Sequence, residues 1–148
     1  MGNIFQEKPF SEMTKDKIIV WLVLILVLFA IYSDQRFNAK NIDVLRERAR
    51  SMDGVLPQKA FTTDGCSVFP NVLFGNDFTD ICIEHDMKYW KGGSAEDRKV
   101  ADAVLRESVN KKMPFVGDIM YFGVRVLGHP LVPAPWRWGY GFKYPYKY

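Results

Sequence analysis

The residues best equipped for chemistry lie between Asp77 and Asn110. Phe78, Ile81, Cys82, His85 and Tyr89 recur at intervals of three and four, which on a 3.6-residue period places them within an arc of about 100°. The spacing predicts a helix with an imidazole on its packing face. Gly92 and Gly93 break that helix, and Ser94 can cap a second one with Asp97 at the capping-box position. On the second helix Arg98, Ala101, Asp102, Leu105 and Val109 fall on one face. Antiparallel helices joined by so tight a turn pair residues equidistant from it. His85 and Asp102 share a midpoint between residues 93 and 94, and the same midpoint pairs Tyr89 with Arg98, Cys82 with Leu105 and Phe78 with Val109. One alignment thus matches two apolar pairs and sets a carboxylate against an imidazole. A carboxylate on one ring nitrogen fixes the tautomer and stabilises the imidazolium, which makes the histidine a positioned general base. Asp86 follows at the edge of that face, where its hard oxygens can hold a cation beside the base. The plainer alternative is a helix-helix hydrogen bond, with Asp86 a solvated surface acid.

The elements that must position this pair come from 148 residues that are 48% apolar and 25% charged, enough for one compact domain and too apolar for a disordered tail. A surplus of 20 Lys and Arg over 17 Asp and Glu is too small and too evenly spread for a nucleic-acid footprint, so no nucleic-acid partner is expected. With two cysteines there is neither a C-x-x-C zinc site nor a disulfide-dense scaffold; Cys66 and Cys82 form one bridge or remain two buried thiols. Upstream of the hairpin, Asn41 can cap a short helix carrying Ile42, Leu45, Ala49 and Met52 on one face, a stalk or first domain element within residues 34–58. A glycine- and proline-bearing loop from Asp53 to about Asn76 follows. Downstream, Phe115, Ile119, Phe122 and Val126 recur at helical spacing and are expected to pack against the hairpin as core. His129 has no partner at a ligand spacing and receives no role.

Ile18 through Tyr32 are consecutive uncharged, almost wholly apolar residues. As a helix they would span roughly 22 Å, short of the ~30 Å hydrocarbon core unless Lys17 snorkels and the bilayer thins. A helix apolar on every side needs more protein around it than this chain supplies, and no A-x-A cleavage pattern follows, so a single uncleaved transmembrane anchor over residues 18–33 is expected, after a polar segment over residues 1–17. Lys and Arg are more numerous after the span than before it, which would keep the domain cytoplasmic. Long segments translocate regardless of such charges, and a bridge between the cysteines would favour an oxidising side, so the extracytoplasmic side is expected. At the other end, Trp136, Trp138, Tyr140, Phe142, Tyr144, Tyr146 and Tyr148 alternate strictly, interleaved with Arg137, Lys143 and Lys147. This arm over residues 133–148 suits packing on the domain and contact with a membrane interface equally.

Cys82-Ile83-Glu84-His85-Asp86-Met87-Lys88-Tyr89 resembles the C-x-x-H-D-x-x-Y signature of the phospholipase A2 superfamily, and the Gly-Gly turn and Asp102 match the second half of its active-site helix pair. Asp64-Gly65-Cys66-Ser67 and Arg137-Trp138-Gly139-Tyr140-Gly141 are similar to segments of a group of uncharacterised bacterial, membrane-anchored phospholipase A2-like proteins. The resemblance implies a mainly α fold, an antiparallel active-site hairpin with loop-rich flanks, over residues 59–132. It implies hydrolysis of a glycerophospholipid acyl ester, with His85 activating water, Asp102 orienting His85 and Tyr89 bonding Asp102. It further implies Ca²⁺ held by Asp86 and by backbone carbonyls around Gly65, Cys66 and Ser67, with Cys66 and Cys82 tying that loop to the catalytic helix, and membrane phospholipid as partner.

The chain departs from the superfamily in three places. Its Gly65-Cys66-Ser67-Val68-Phe69-Pro70 lacks the glycine-rich calcium loop, one cysteine rather than two precedes His85, and the spacing from His85 to Asp102 is short. The alternative to an enzyme is a catalytically inactive, membrane-tethered structural or lipid-interaction protein that keeps the fold.

Overall fold

The computed structural model describes residues 17–22, 24–25 and 42–147. The expected polar segment lies almost wholly outside these residues, as do Asn41 and most of the expected anchor. Residues 17–22, 24 and 25 are helical, and no helix among the described residues is long and apolar enough to cross a membrane.

The described chain is mainly helical. Helix α1 (Ile42–Ser51) precedes a long loop that ends in a two-residue antiparallel hairpin, β1 (Val72–Leu73) against β2 (Asn76–Asp77). Three helices follow: α2 (Thr79–Lys91), α3 (Ala95–Lys112) and α4 (Val116–Leu127). The α2–α3 turn depends on Gly92 and Gly93, whose φ angles of 67° and 137° lie where side-chain-bearing residues are rarely accommodated. Ser94 then closes a full capping box: its hydroxyl accepts from the Asp97 amide while the Asp97 carboxylate accepts from the Ser94 amide. On α3, Arg98, Ala101, Asp102, Leu105 and Val109 are buried together, one face as the period requires.

Two apolar clusters flank the hairpin. One joins Ala49 of α1, Phe61, Trp90 and Trp138, with Ile42, Leu45 and Met52 packed against it, so α1 belongs to the domain rather than to a stalk. The other joins Cys66, Phe78, Cys82, Leu105 and Val109 with Val116 and Met120 of α4. Cys66 and Cys82 are bonded to each other and tie the loop to α2. The C-terminal arm packs inward: Trp138 and Tyr140 are core residues, and Arg137 is buried with its guanidinium donating to the carbonyls of Trp138, Gly139 and Phe142. Only its edges, including Trp136 and Tyr144, remain exposed.

Helix α4 reverses the expectation for Phe115, Ile119, Phe122 and Val126. They are not core: they are 78%, 65%, 71% and 51% exposed. The reason lies on the opposite face of α4. Gly117 sits so close to α3 that a Cβ there would come within 2.2 Å of the Arg106 carbonyl oxygen. Around that contact the side chain of Asn110 accepts from the Gly117 amide and donates to Asp118, which also pairs with Arg106 at 2.6 Å. Close backbone approach and polar pairing thus claim one face, and the apolar stripe is left outside.

Two glycines of α4 therefore respond oppositely to the same change. Gly117→Ala should lower stability by about 1–3 kcal/mol, because backbone cannot yield as a flexible side chain would. Gly123→Ala, with nothing within 4 Å of the added carbon, should raise it by about 0.5–1 kcal/mol. Urea unfolding of both variants checks this; equal effects would mean that α4 is not held by close approach at Gly117.

Candidate active site

The pairs on the common midpoint meet. His85 Nε2 lies 2.9 Å from Asp102 Oδ1, Arg98 Nε donates to the Tyr89 hydroxyl at 3.3 Å, and Cys82, Leu105, Phe78 and Val109 share one cluster. Asp102 is fully buried and His85 is 8% exposed. The Tyr89 hydroxyl donates to Asp102 Oδ1 at 2.8 Å, its ring lies 4.3 Å from the imidazole, and Trp138 meets Tyr89 edge-on at 5.0 Å. An ionised carboxylate only accepts, so Nε2 must donate, and in the neutral ring Nδ1 is left as the basic nitrogen. No buried side-chain nitrogen or oxygen among the described residues lacks a partner, and Nδ1 bonds to none of them, so this nitrogen reaches solvent-accessible space.

Two arginines complete the surroundings of Asp102. Arg125 of α4 donates to Oδ2 at 2.7 Å. Arg98 stands 3.9 Å from Oδ2 and donates to the carbonyls of Val124 and Arg125, binding the end of α4 to the hairpin. Burial alone would push the Asp102 carboxyl up, yet hydrogen bonds from His85, Arg125 and Tyr89 and the charge of His85 bring it below the ordinary aspartate range. Burial and the neighbouring Asp102 push the Tyr89 phenol up, so it keeps the proton it donates. Arg125 is the residue that helical periodicity missed. It falls off the apolar stripe of α4, and only the docking of α4 onto α3 brings it to Asp102.

Asp86 is half-buried beside His85 and faces a different neighbourhood. Thr63 donates to its Oδ2 at 2.6 Å, and Ser67 donates to Asp64 at 2.7 Å. Thr63, Asp64, Ser67, Asp86 and Tyr140 line one cavity of about 300 Å³. Burial, opposed by the Thr63 hydrogen bond and reinforced by the Asp64 charge, pushes the Asp86 carboxyl well above the usual carboxylate range. The loop is held by Asn71, which accepts from the Cys66 amide and donates to the Asp64 carbonyl, a role with no periodic signal in the sequence. Gly65, Cys66 and Ser67 join His85 and Asp86 around a second, mostly apolar cavity of about 190 Å³. A larger cavity of about 750 Å³ touches His85 from between α2 and α3.

The side-chain oxygens of Thr63, Asp64, Ser67 and Asp86 that line the cavity of about 300 Å³ are hard donors, and two of them are carboxylates, a set that suits a divalent cation such as Ca²⁺. No group of three or more His, Cys, Asp or Glu residues that could hold a metal occurs among the described residues, so hydroxyl and backbone oxygens would have to complete the shell. Cys66 supplies its carbonyl to the Phe69 amide at 3.1 Å, leaving that oxygen one further lone pair. Compared with protein-family models, curated proteins and solved structures, the chain matches none.

The two aspartates set opposite pH dependences. The depressed pKa of Asp102 contributes stability that is lost only as pH falls below the usual aspartate range, whereas the raised pKa of Asp86 withdraws stability as pH rises above that range. A cation held at Asp86 would offset the second loss. Ca²⁺ should therefore raise the melting temperature more at about pH 8 than at about pH 5, and Asp86→Asn should remove the difference. A Ca²⁺ response that ignores both pH and Asp86 would remove the cation site.

Proposed function

We propose that the chain is a phospholipase A2-like hydrolase of glycerophospholipid acyl esters. The observation that carries this reading is the His85–Asp102 bond through Nε2, which leaves Nδ1 accessible beside Asp86 and an apolar cavity. Nδ1 takes a proton from water as the water oxygen attacks the ester carbonyl carbon. Asp102 holds the ring and its new positive charge, and Tyr89 and Arg125 hold Asp102. The imidazolium returns the proton to the departing glycerol oxygen, releasing a fatty acid and a lysophospholipid. Asp86, with oxygens of the Thr63 to Ser67 loop, would hold Ca²⁺, whose chemistry when bound is stabilisation of negative charge on the carbonyl oxygen.

The resemblance of Cys82 through Tyr89 to the superfamily signature supports the same reading. The bonded cysteines support an oxidising, extracytoplasmic location, with a single-pass anchor over residues 18–33 keeping the domain beside its substrate. The second reading, an inactive membrane-tethered structural or lipid-interaction protein, is favoured by the lack of a three-carboxylate or histidine metal set among the described residues.

The full chain in phospholipid proteoliposomes with Ca²⁺ should release fatty acid, and His85→Gln, whose amide can still donate to Asp102, should reduce the rate about 100-fold or more while the domain remains folded. Equal release from both proteins, or none from either, excludes the hydrolase.

A further inference from the structure

The outward stripe of α4 is complementary to itself. Phe115, Ile119, Phe122 and Val126 stand four, three and four residues apart, the seam that one helix offers another in a coiled coil. That spacing reads the same from either end. A two-fold axis through its midpoint, between Met120 and Tyr121, therefore sets Phe115 opposite Val126 of a second copy and Ile119 opposite its Phe122. Every layer then joins one phenylalanine to one β-branched residue, which keeps the layers equal in volume. Phe115 opens the helix at a φ of 68°, where a side-chain-bearing residue is strained, and it is exposed, so packing within the chain does not offset that strain.

Area and charge favour the same occupant. With Val68, Leu127 and Trp136, which border the stripe around the small apolar cavity, the exposed apolar surface is on the order of 800 Å², above the ~300–600 Å² patch common on monomers and close to the share each partner contributes to a stable interface. The two charges of α4 do not interrupt the seam, because Asp118 is bonded to Arg106 and Asn110, and Arg125 to Asp102. An antiparallel pair also sets the acidic first turn of one α4 beside the basic last turn of the other and opposes the two helix dipoles. Ile119 and Leu127 line the cavity that reaches His85 and Asp86, so a helix laid on the stripe covers its mouth.

We propose that two copies of the chain pair antiparallel through α4 and that this pairing closes the small cavity beside His85. The consequence for turnover rests on the hydrolase reading, but pairing and closure are measurable without it. Because the two native cysteines are bonded to each other, Phe115→Cys and Val126→Cys each add a single reactive thiol to the full chain. Mixed in detergent micelles that outnumber the protein and treated with a short bifunctional maleimide, the two variants should cross-link to each other about tenfold more than either does to itself. Like positions in the antiparallel pair are separated by eleven residues of helix, about 16 Å. Adding Phe122→Asp to both chains should remove the cross-link with the domain still folded by circular dichroism. In the cross-linked pair, carbethoxylation of His85 by diethyl pyrocarbonate, read by mass spectrometry against His129, should slow about tenfold relative to the same mixture blocked with N-ethylmaleimide. Fatty-acid release should slow with it. Cross-links between like positions, none in any mixture, or one that survives Phe122→Asp overturns the pairing; the second is the outcome if the stripe meets lipid instead. Unchanged carbethoxylation of His85 overturns the closure. Slowed carbethoxylation with no fatty acid released by any protein overturns the hydrolase reading and leaves pairing and closure in place.

Discussion

The buried carboxylate of Asp102 is the constraint around which the domain is built. A charge removed from water needs partners on every lone pair, and it draws them from three helices: His85 and Tyr89 from α2, Arg125 from α4, and Arg98 from its own helix nearby. The same bonds that satisfy the charge fix the imidazole. Positioning of a base and cohesion of the helices are therefore one interaction network, and Arg98 extends it by binding the last carbonyls of α4.

Docking α4 through glycine, asparagine and ion pairs has a consequence for its other face. Val116, Met120 and the close backbone approach at Gly117 already fill the face that α4 turns to its neighbour, so Phe115, Ile119, Phe122 and Val126 are left outside. The disulfide and Asn71 hold the loop at the opposite wall of the small cavity, so the opening lies between a covalently tethered loop and an apolar helix surface.

How much of this was legible in the sequence differs by element. The hairpin was legible because a glycine pair and a capping box fix the register of two helices locally, so counting outward from residues 93 and 94 predicts who meets whom. The third helix was not, since periodicity tells which residues share a face but not which face turns inward. The stripe on α4 reads as core by hydrophobicity, and only the approach at Gly117 and the pairing of Asp118 reveal the reverse. Arg125 was hidden for the same reason. In the C-terminal arm the strict aromatic alternation reads as extended chain, yet prolines and glycines fold it into turns around Arg137, burying Trp138 and Tyr140. Asp64 and Thr63 stand beside Asp86 through loop geometry that no period encodes.

The tautomer of His85 tests the account most directly. The chain has two histidines, so nitrogen-15 NMR of the imidazoles resolves His85 from His129. The account predicts that the neutral form of the His85 ring carries its proton on Nε2, with that proton slow to exchange and coupled to Asp102. A ring protonated on Nδ1, or averaging freely between tautomers, would contradict it.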